Sequence, residues 1–283
     1  MYKILRKEIL APNISLLEVT APLIAKKRKP GNFIILRATP TGERIPLTIV
    51  ESDVKRGTIT LIVQAIGKTT QIIHAMNLGD TLEDIVGPLG EPTPIEKYGN
   101  VVCIGGGVGT AVVYPMAKAL KAAGNQVFSI IGAQTADALI LEKEMGAVSD
   151  ELFITTDDGS RGIKGFVTGA LAELLKREEQ IHSIYATGPL PMMRAVAEQT
   201  RNSGIRTVVS LNPIMMDGTG MCGACRVSVG DTLKFACVDG PEFDAHEINF
   251  DELIARNRTY LNQEKEALEA YHQKLNCKAE VSL

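Results

Sequence analysis

Val101-Val-Cys-Ile-Gly-Gly-Gly-Val-Gly-Thr110 is the stretch on which the reading of this chain turns. Apolar residues run without interruption into Gly105, Gly106 and Gly107, and Gly109 opens the next periodic segment. A short continuous apolar run bounded by glycine reads as a strand buried on both faces. The segment behind it, Val108 to Ala123, has the spacing of a helix. Backbone N–H groups at such a helix start can cradle a pyrophosphate, and glycine lets the ligand approach closely. Gly105, Gly106, Gly107, Val108, Gly109 and Thr110 are therefore the first candidate binding residues. Thr110 stands where the dinucleotide fingerprint has its third glycine, and the Gly-Lys-Ser/Thr of an ATP or GTP loop is absent. A tight strand-to-helix turn without a ligand is the competing reading.

Downstream the same rhythm continues. Val127–Ile131, Leu152–Thr156, Ser183–Thr187 and Thr207–Leu211 read as further buried strands. Helical stretches fall at Ala136–Lys143, Phe166–Lys176 and Pro191–Asn202. Together they predict a five-stranded parallel sheet covered on both faces, over residues 96–212. Asp157 and Asp158 follow a strand and precede Gly159, a position that either meets a ribose or only marks a turn.

Upstream the pattern is different. Ser15–Val19, Phe33–Leu36 and Thr58–Val63 are short β-rich runs punctuated by Pro22, Pro30-Gly31, Thr41-Gly42 and Gly57. Short strands without long helices predict a small antiparallel barrel over residues 1–95, ending at Gly87–Pro92. Within it, Arg44-Ile-Pro46-Leu47-Thr48 offers a guanidinium for a phosphate, an apolar face for a planar ring and a hydroxyl for its edge. Considered alone, the segment reads first as a strand start with Pro at an edge and a solvated Arg.

Residues 213–283 form a third region. Asp217, Cys222, Cys225 and Cys237 keep the Cys-x4-Cys-x2-Cys spacing of a plant-type [2Fe–2S] site, with Asp in the first place. Small residues at Gly218, Gly220, Gly223 and Ala224 allow the loop to wrap a compact cluster. A zinc site of three thiolates and one carboxylate, or three buried cysteines of no function, are the competing readings. Asp251 to Leu275 then reads as a polar helix.

The chain has 283 residues, 45% hydrophobic and 22% charged, within globular averages. A net charge of -3, 5% aromatic residues and no Trp argue against nucleic acid as a partner. The first ten residues carry Lys3, Arg6, Lys7 and Glu8, which excludes the apolar core of a signal peptide there. No apolar run reaches the ~18 residues of a membrane span. The expectation is a cytoplasmic protein without a membrane partner, and five cysteines do not suggest a disulfide framework. His74, His182, His246 and His272 are scattered without ligand spacing.

Taken in order, the three motifs resemble the ferredoxin–NADP reductase superfamily over nearly the whole chain. The family pattern Arg-x-Pro-aliphatic-Ser/Thr is matched by Arg44, Pro46, Leu47 and Thr48, which implies flavin binding. Ile66-Gly67-Lys68-Thr69-Thr70 resembles the segment that holds the flavin diphosphate at a helix start. The Gly105–Gly109 loop resembles the nicotinamide-dinucleotide loop. Thr187-Gly188-Pro189, with Met192 and Met193, resembles the Cys-Gly-Pro-x-x-Met motif near the nicotinamide, with Thr187 replacing the Cys. A C-terminal [2Fe–2S] segment narrows the resemblance to two groups. One is the electron-transfer subunits of dihydroorotate dehydrogenases, with four cysteine ligands. The other is the small subunits of NADH-dependent reduced ferredoxin:NADP oxidoreductases, with one Asp and three Cys, which Asp217 matches better. That resemblance implies FAD and a [2Fe–2S] cluster as cofactors and NAD(H) as substrate. It further implies a larger partner subunit with another FAD and two [4Fe–4S] clusters, ferredoxin served through the complex, and electron bifurcation. A non-redox nucleotide-binding module with structural zinc is the remaining alternative.

Overall fold

In the computed structural model, which describes residues 2–281, the N-terminal region is built of β1 (Tyr2–Ala11), β2 (Ile14–Thr20), β3 (Phe33–Arg37), β4 (Arg44–Thr48), β5 (Glu51–Asp53), β6 (Thr58–Gln64), β7 (Thr81–Leu82) and β8 (Asp84–Leu89). Two short helices, α1 (Pro22–Lys27) and α2 (Lys68–Ala75), interrupt them. The strands form one sheet in the order β5-β6-β2-β1-β7 and another in the order β4-β3-β8. All pairings within them are antiparallel, as the barrel reading requires. Alternation explains the core. Ile59, Leu61 and Val63 of β6 pack inward with Leu17, Val19, Ile34 and Leu36, whereas Ile62 points out to the next unit. β1 was not expected as a strand, because its charges hide the period; of its residues just Ile4 and Ala11 are buried, and two register shifts bend it.

The second unit runs β9 (Asn100–Gly106), α3 (Gly109–Ala122), β10 (Gln126–Ala133), α4 (Glu142–Ala147), β11 (Glu151–Thr156), β12 (Ile163–Lys164), α5 (Val167–Leu175), β13 (Ser183–Thr187), α6 (Leu190–Thr200) and β14 (Arg206–Ser210). Beyond it come β15 (Arg226–Val229), β16 (Thr232–Phe235), β17 (Glu242–Asp244), α7 (Phe250–Asn257) and α8 (Leu261–Val281). The sheet order is β12-β11-β10-β9-β13-β14-β17. The five expected strands are parallel neighbours at its centre. Short β12 and antiparallel β17 extend the edges; neither has the apolar run that betrays a doubly buried strand. In β9, Val102 and Ile104 enter the core under α5 and α6, while Val101 and Cys103 enter the one under α3. That double burial is what produced the continuous run.

Two helical expectations need correction. Ala136–Lys143 is not one helix: a single 3₁₀ turn at Ala136–Ala138 is followed by α4, with Leu141 left-handed at φ 57 between them. Buried Ile140 anchors this break in the core beside α3. Asp251–Leu275 is divided into α7 and α8. Asn249 starts α7, its side-chain oxygen accepting the Glu252 N–H at 3.1 Å.

The units are packed into one another. Val50 and Ile62 of the barrel share a core with Val113 of α3, and Phe33 and Ile35 share another with Val227 and Phe243 of the C-terminal region. Half-buried Glu242 lies at this junction and accepts the Thr93 hydroxyl at 2.5 Å. Burial pushes its pKa up to about 7, against the pull of Thr93 and Arg206. The folded chain therefore keeps a proton that the unfolded chain loses at lower pH, so stability is full in acid and falls as pH rises towards and through about 7. At about 1.4 kcal/mol per unit, the loss approaches roughly 3 kcal/mol. Glu242→Gln is expected to flatten the fall in Tm between about pH 5 and about pH 8; an unchanged slope would exonerate this carboxyl.

Candidate functional site

In an open parallel sheet the ligand crevice lies where the strand order reverses, beyond the carboxyl ends. Here the chain proceeds outward from β9 to β10 and β11, then returns to place β13 and β14 on the other side. A cavity of about 790 Å³ opens at that reversal and faces the barrel. Pro46, Leu47, Thr48 and Ile66 form its barrel wall. Gly106, Gly107, Val108 and Gly109 form the opposite wall with Thr187, Gly188, Pro189 and Met192, and Asp157 reaches it from the end of β11. Arg44, Gly105, Thr110, Asp158 and the Gly67–Thr70 segment do not line it.

Local physics explains each wall. β4 is an edge strand, so Pro46 can sit opposite Ile35 without depriving an inner neighbour of a donor. Thr48 is paired with Phe33, which also lines the cavity. Gly109 allows α3 to start against the β13 loop. A Cβ there would collide with the Thr187 carbonyl oxygen and stand 2.7 Å from its carbon. Gly107, at φ +56, has no atom within 4 Å of its would-be Cβ. Thr187 Oγ1 is buried at the wall without a hydrogen-bond partner, a polar atom suited to a ligand's edge.

At the start of α2, Thr70 Oγ1 accepts the N–H groups of Gly67 and Ile66 at 3.0 and 3.1 Å. Lys68 Nζ and Thr69 Oγ1 donate to the two carboxylate oxygens of Glu43 at 3.3 and 2.5 Å. The first turn of a helix leaves N–H groups without intrahelical partners and favours negative charge. Glu43 occupies the Lys68 and Thr69 donors in this structure, so a diphosphate held by them would take its place. On the nucleotide side, Asp158 is held below the usual carboxylate range by hydrogen bonds from Ser160. Arg161 is paired with Glu142 at 2.5 Å.

The cysteine region is organised by a hairpin. Cys225 precedes β15 and Cys237 follows β16, so the Arg226–Phe235 pairing brings the two buried thiols together. Burial, and then contact with Cys225, push the Cys237 thiol up to about 12, a cost that a bound cationic centre relieves. Cys222 is exposed. Asp217 accepts N–H groups from Thr219 and Cys222, each at 2.8 Å, and these hold its carboxylate below its usual range. Among the described residues no three His, Cys, Asp or Glu side chains converge as a ready metal-binding group. The donors thus share one loop, with Cys225 and Cys237 adjacent and Asp217 and Cys222 tied through the backbone. Oxygen and sulfur donors on small-residue turns fit an iron–sulfur group chemically.

Cavity residues that carried no sequence motif include Asn13, Phe33, Gln134, Phe166, Asn212 and Met215. Asn212 alone had a usable signal, as a polar residue directly beyond a buried strand.

Comparison with known proteins assigns the three regions. Residues 2–93 match an oxidoreductase FAD-binding domain, residues 103–198 an oxidoreductase NAD-binding domain, and residues 212–249 the iron–sulfur cluster binding domain of dihydroorotate dehydrogenase B. The dihydroorotate dehydrogenase B (NAD(+)) electron transfer subunit of Bacillus caldolyticus is 35% identical, over 82% of this chain and 91% of its own length. The chain belongs to this electron-transfer subunit family. A homolog of the subunit in Thermotoga maritima is 46% identical, over 95% of either chain. A chain from the structure of the NADH-dependent reduced ferredoxin-NADP oxidoreductase, described for flavin-based electron bifurcation, is 45% identical. The two superpose with a TM-score of 0.91 over 96% of this chain and 98% of that one. As a member of the electron-transfer subunit family, the chain is an oxidoreductase subunit with FAD, NAD and [2Fe–2S] domains. The structural-zinc alternative is thereby set aside. No helix among the described residues is long and apolar enough to cross a membrane.

Proposed function

We propose that this chain is the small subunit of an electron-bifurcating, NADH-dependent reduced ferredoxin:NADP oxidoreductase. Its partner would be a larger subunit with its own FAD and two [4Fe–4S] clusters, through which ferredoxin is served. The likeness to the bifurcating oxidoreductase over nearly the full length of both chains carries the reading. Asp217 in the first ligand place agrees with it.

Bound FAD and the [2Fe–2S] cluster supply the conversion between paired and single electrons. The chain's residues do the positioning. Pro46 and Leu47 present an apolar wall to the flavin ring, Thr48 a hydroxyl to its edge and Arg44 a charge, while Gly67, Lys68, Thr69 and Thr70 receive the diphosphate. Gly105 to Thr110 seat the dinucleotide, and Thr187, Gly188, Pro189 and Met192 confine its nicotinamide end. Asp217, Cys222, Cys225 and Cys237 hold the cluster. Asp157, facing the cavity, and Asp158 beside it receive the ribose and repel a 2′-phosphate.

NADH is therefore the expected donor. Asp157→Ser should raise flavin reduction by NADPH relative to NADH by roughly tenfold, equivalent to about 1.4 kcal/mol. Faster reduction by NADPH in the unsubstituted chain would reverse the assignment. The function is tested by anaerobic isolation of the native complex. A larger subunit with FAD and [4Fe–4S] clusters, and NADP reduction coupled to the oxidation of both NADH and reduced ferredoxin, is the expected result. The names of the relatives favour a second reading, the electron-transfer subunit of an NAD-dependent dihydroorotate dehydrogenase. Co-isolation with a dihydroorotate-oxidising subunit would establish it instead.

A further inference from the structure

A second cavity, of about 310 Å³, lies between α2 and α8, next to Pro12 and Asn13. Gln71, His74 and Ala75 line it from one face of α2, and Tyr271 and Leu275 from α8. The cavities are neighbours along the chain: Asn13 lines both, and Ala65 faces the second while Ile66 faces the first. The cavities therefore meet at Asn13 and at the Ala65–Ile66 step that leads into α2. Nothing in the motifs accounts for this space, and the polar α8 has no other assigned role.

We infer that α8 closes the adenine end of the FAD site, with Tyr271 as the stacking surface. This rests on the barrel's binding FAD, as its domain family does. FAD is a flavin, a diphosphate and an adenosine in that order. The chain offers, in the same order, the Pro46–Thr48 wall, the start of α2, and a slot with one aromatic ring. The slot has neither carboxylate nor ammonium in its lining, as suits a neutral base. Asn13, Gln71 and His74 supply amide and imidazole groups for the base edge, few and convergent as in small-molecule sites. The slot faces the side of α2 that carries Gln71, His74 and Ala75, so it extends about 12 Å from Gly67 at the helical rise. α8 is held in place there, because His272 Nε2 donates to Gln71 Oε1 at 2.7 Å. His74 is fixed in turn against Ser15 Oγ, 3.3 Å from its Nδ1.

The consequence is selectivity for FAD over FMN, which lacks the adenosine. Stacking of a base on an aromatic side chain corresponds to roughly tenfold to hundredfold in affinity. The test titrates the full-length, flavin-stripped chain with FAD and with FMN, following flavin fluorescence and heat. The unsubstituted chain should prefer FAD. Tyr271→Ala should weaken FAD by roughly tenfold or more while leaving FMN unchanged, and Tyr271→Phe should restore FAD. FAD and FMN affinities that fall together in Tyr271→Ala, or that both stay unchanged, overturn the inference while leaving flavin binding by the barrel intact. Equal affinities in the unsubstituted chain also overturn it. If neither flavin binds, the barrel reading fails together with this one.

Discussion

Cys237→Ser is expected to leave a chain that binds flavin but carries no iron–sulfur cluster. Cys237 and Cys225 are 1% exposed and lie side by side at the foot of the β15–β16 hairpin. A serine hydroxyl in that place is a harder, weaker donor for iron than thiolate. Both thiols belong to the core that also contains Phe33, Ile35, Val227 and Ala236. Loss of the cluster should therefore loosen the C-terminal region first, since binding and folding of such segments are coupled. The barrel's own core, built around Leu17, Ile34 and Leu61, does not include either cysteine, so flavin content should persist. Iron and sulfide assays, with absorption and paramagnetic resonance after reduction, read the result. Cys277, exposed on α8, is the control, and its serine variant should keep all iron. Cys103 is a sterner control. It is buried, with a thiol pushed up to about 12, so Cys103→Ser should lower stability without touching the cluster. A full complement of iron in Cys237→Ser would mean that the ligand set is different from the one proposed.

How much of this was legible in the sequence depended on burial. The parallel strands announced themselves because both faces of β9, β10 and β13 are covered, leaving runs such as Val101–Ile104 with no polar interruption. β1 did not, because one face meets solvent and Arg6, Lys7 and Glu8 break the alternation. Leu141 hid another feature: a left-handed leucine between two helical turns has no local sequence signature. At the site, residues in close-packed turns were visible. Gly107 takes a left-handed φ of +56, a Cβ at Gly106 or Gly109 would collide with Met192 or Thr187, and Pro46 is tolerated because β4 lies at an edge. Phe166 and Met215 were invisible, for they reach the cavity through topology, from the start of α5 and the segment after β14. Asp217 was found by spacing alone. Its bonds to Thr219 and Cys222 explain why a carboxylate suits that turn as a structural residue, whatever it ligates.

Gly109→Ala should be the most damaging small change in the nucleotide loop. The atoms that its Cβ would strike are all backbone: the Thr187 carbonyl, which it would overlap, and Gly188 Cα at 2.9 Å. β9 and β13 are paired side by side, with Thr187 opposite Gly105, so the loop has no freedom to retreat. The start of α3 must move instead, and the two walls of the cavity separate. Overpacking of this kind costs about 1–3 kcal/mol, and NADH binding should weaken by roughly tenfold or more as the walls part. Gly107→Ala separates the two kinds of effect. Its methyl group meets no protein atom within 4 Å, but φ +56 is left-handed, which costs about 1–2 kcal/mol for a residue with a Cβ. Because Gly107 lines the cavity, the new methyl stands where a dinucleotide would approach. Gly107→Ala should therefore weaken NADH binding at least as much as it lowers stability, while Gly109→Ala lowers both through one displacement. Denaturation midpoints and the NADH dependence of flavin reduction distinguish them. A Gly109→Ala chain as stable as its parent would show that α3 and the β13 loop are not in the contact on which the dinucleotide wall depends.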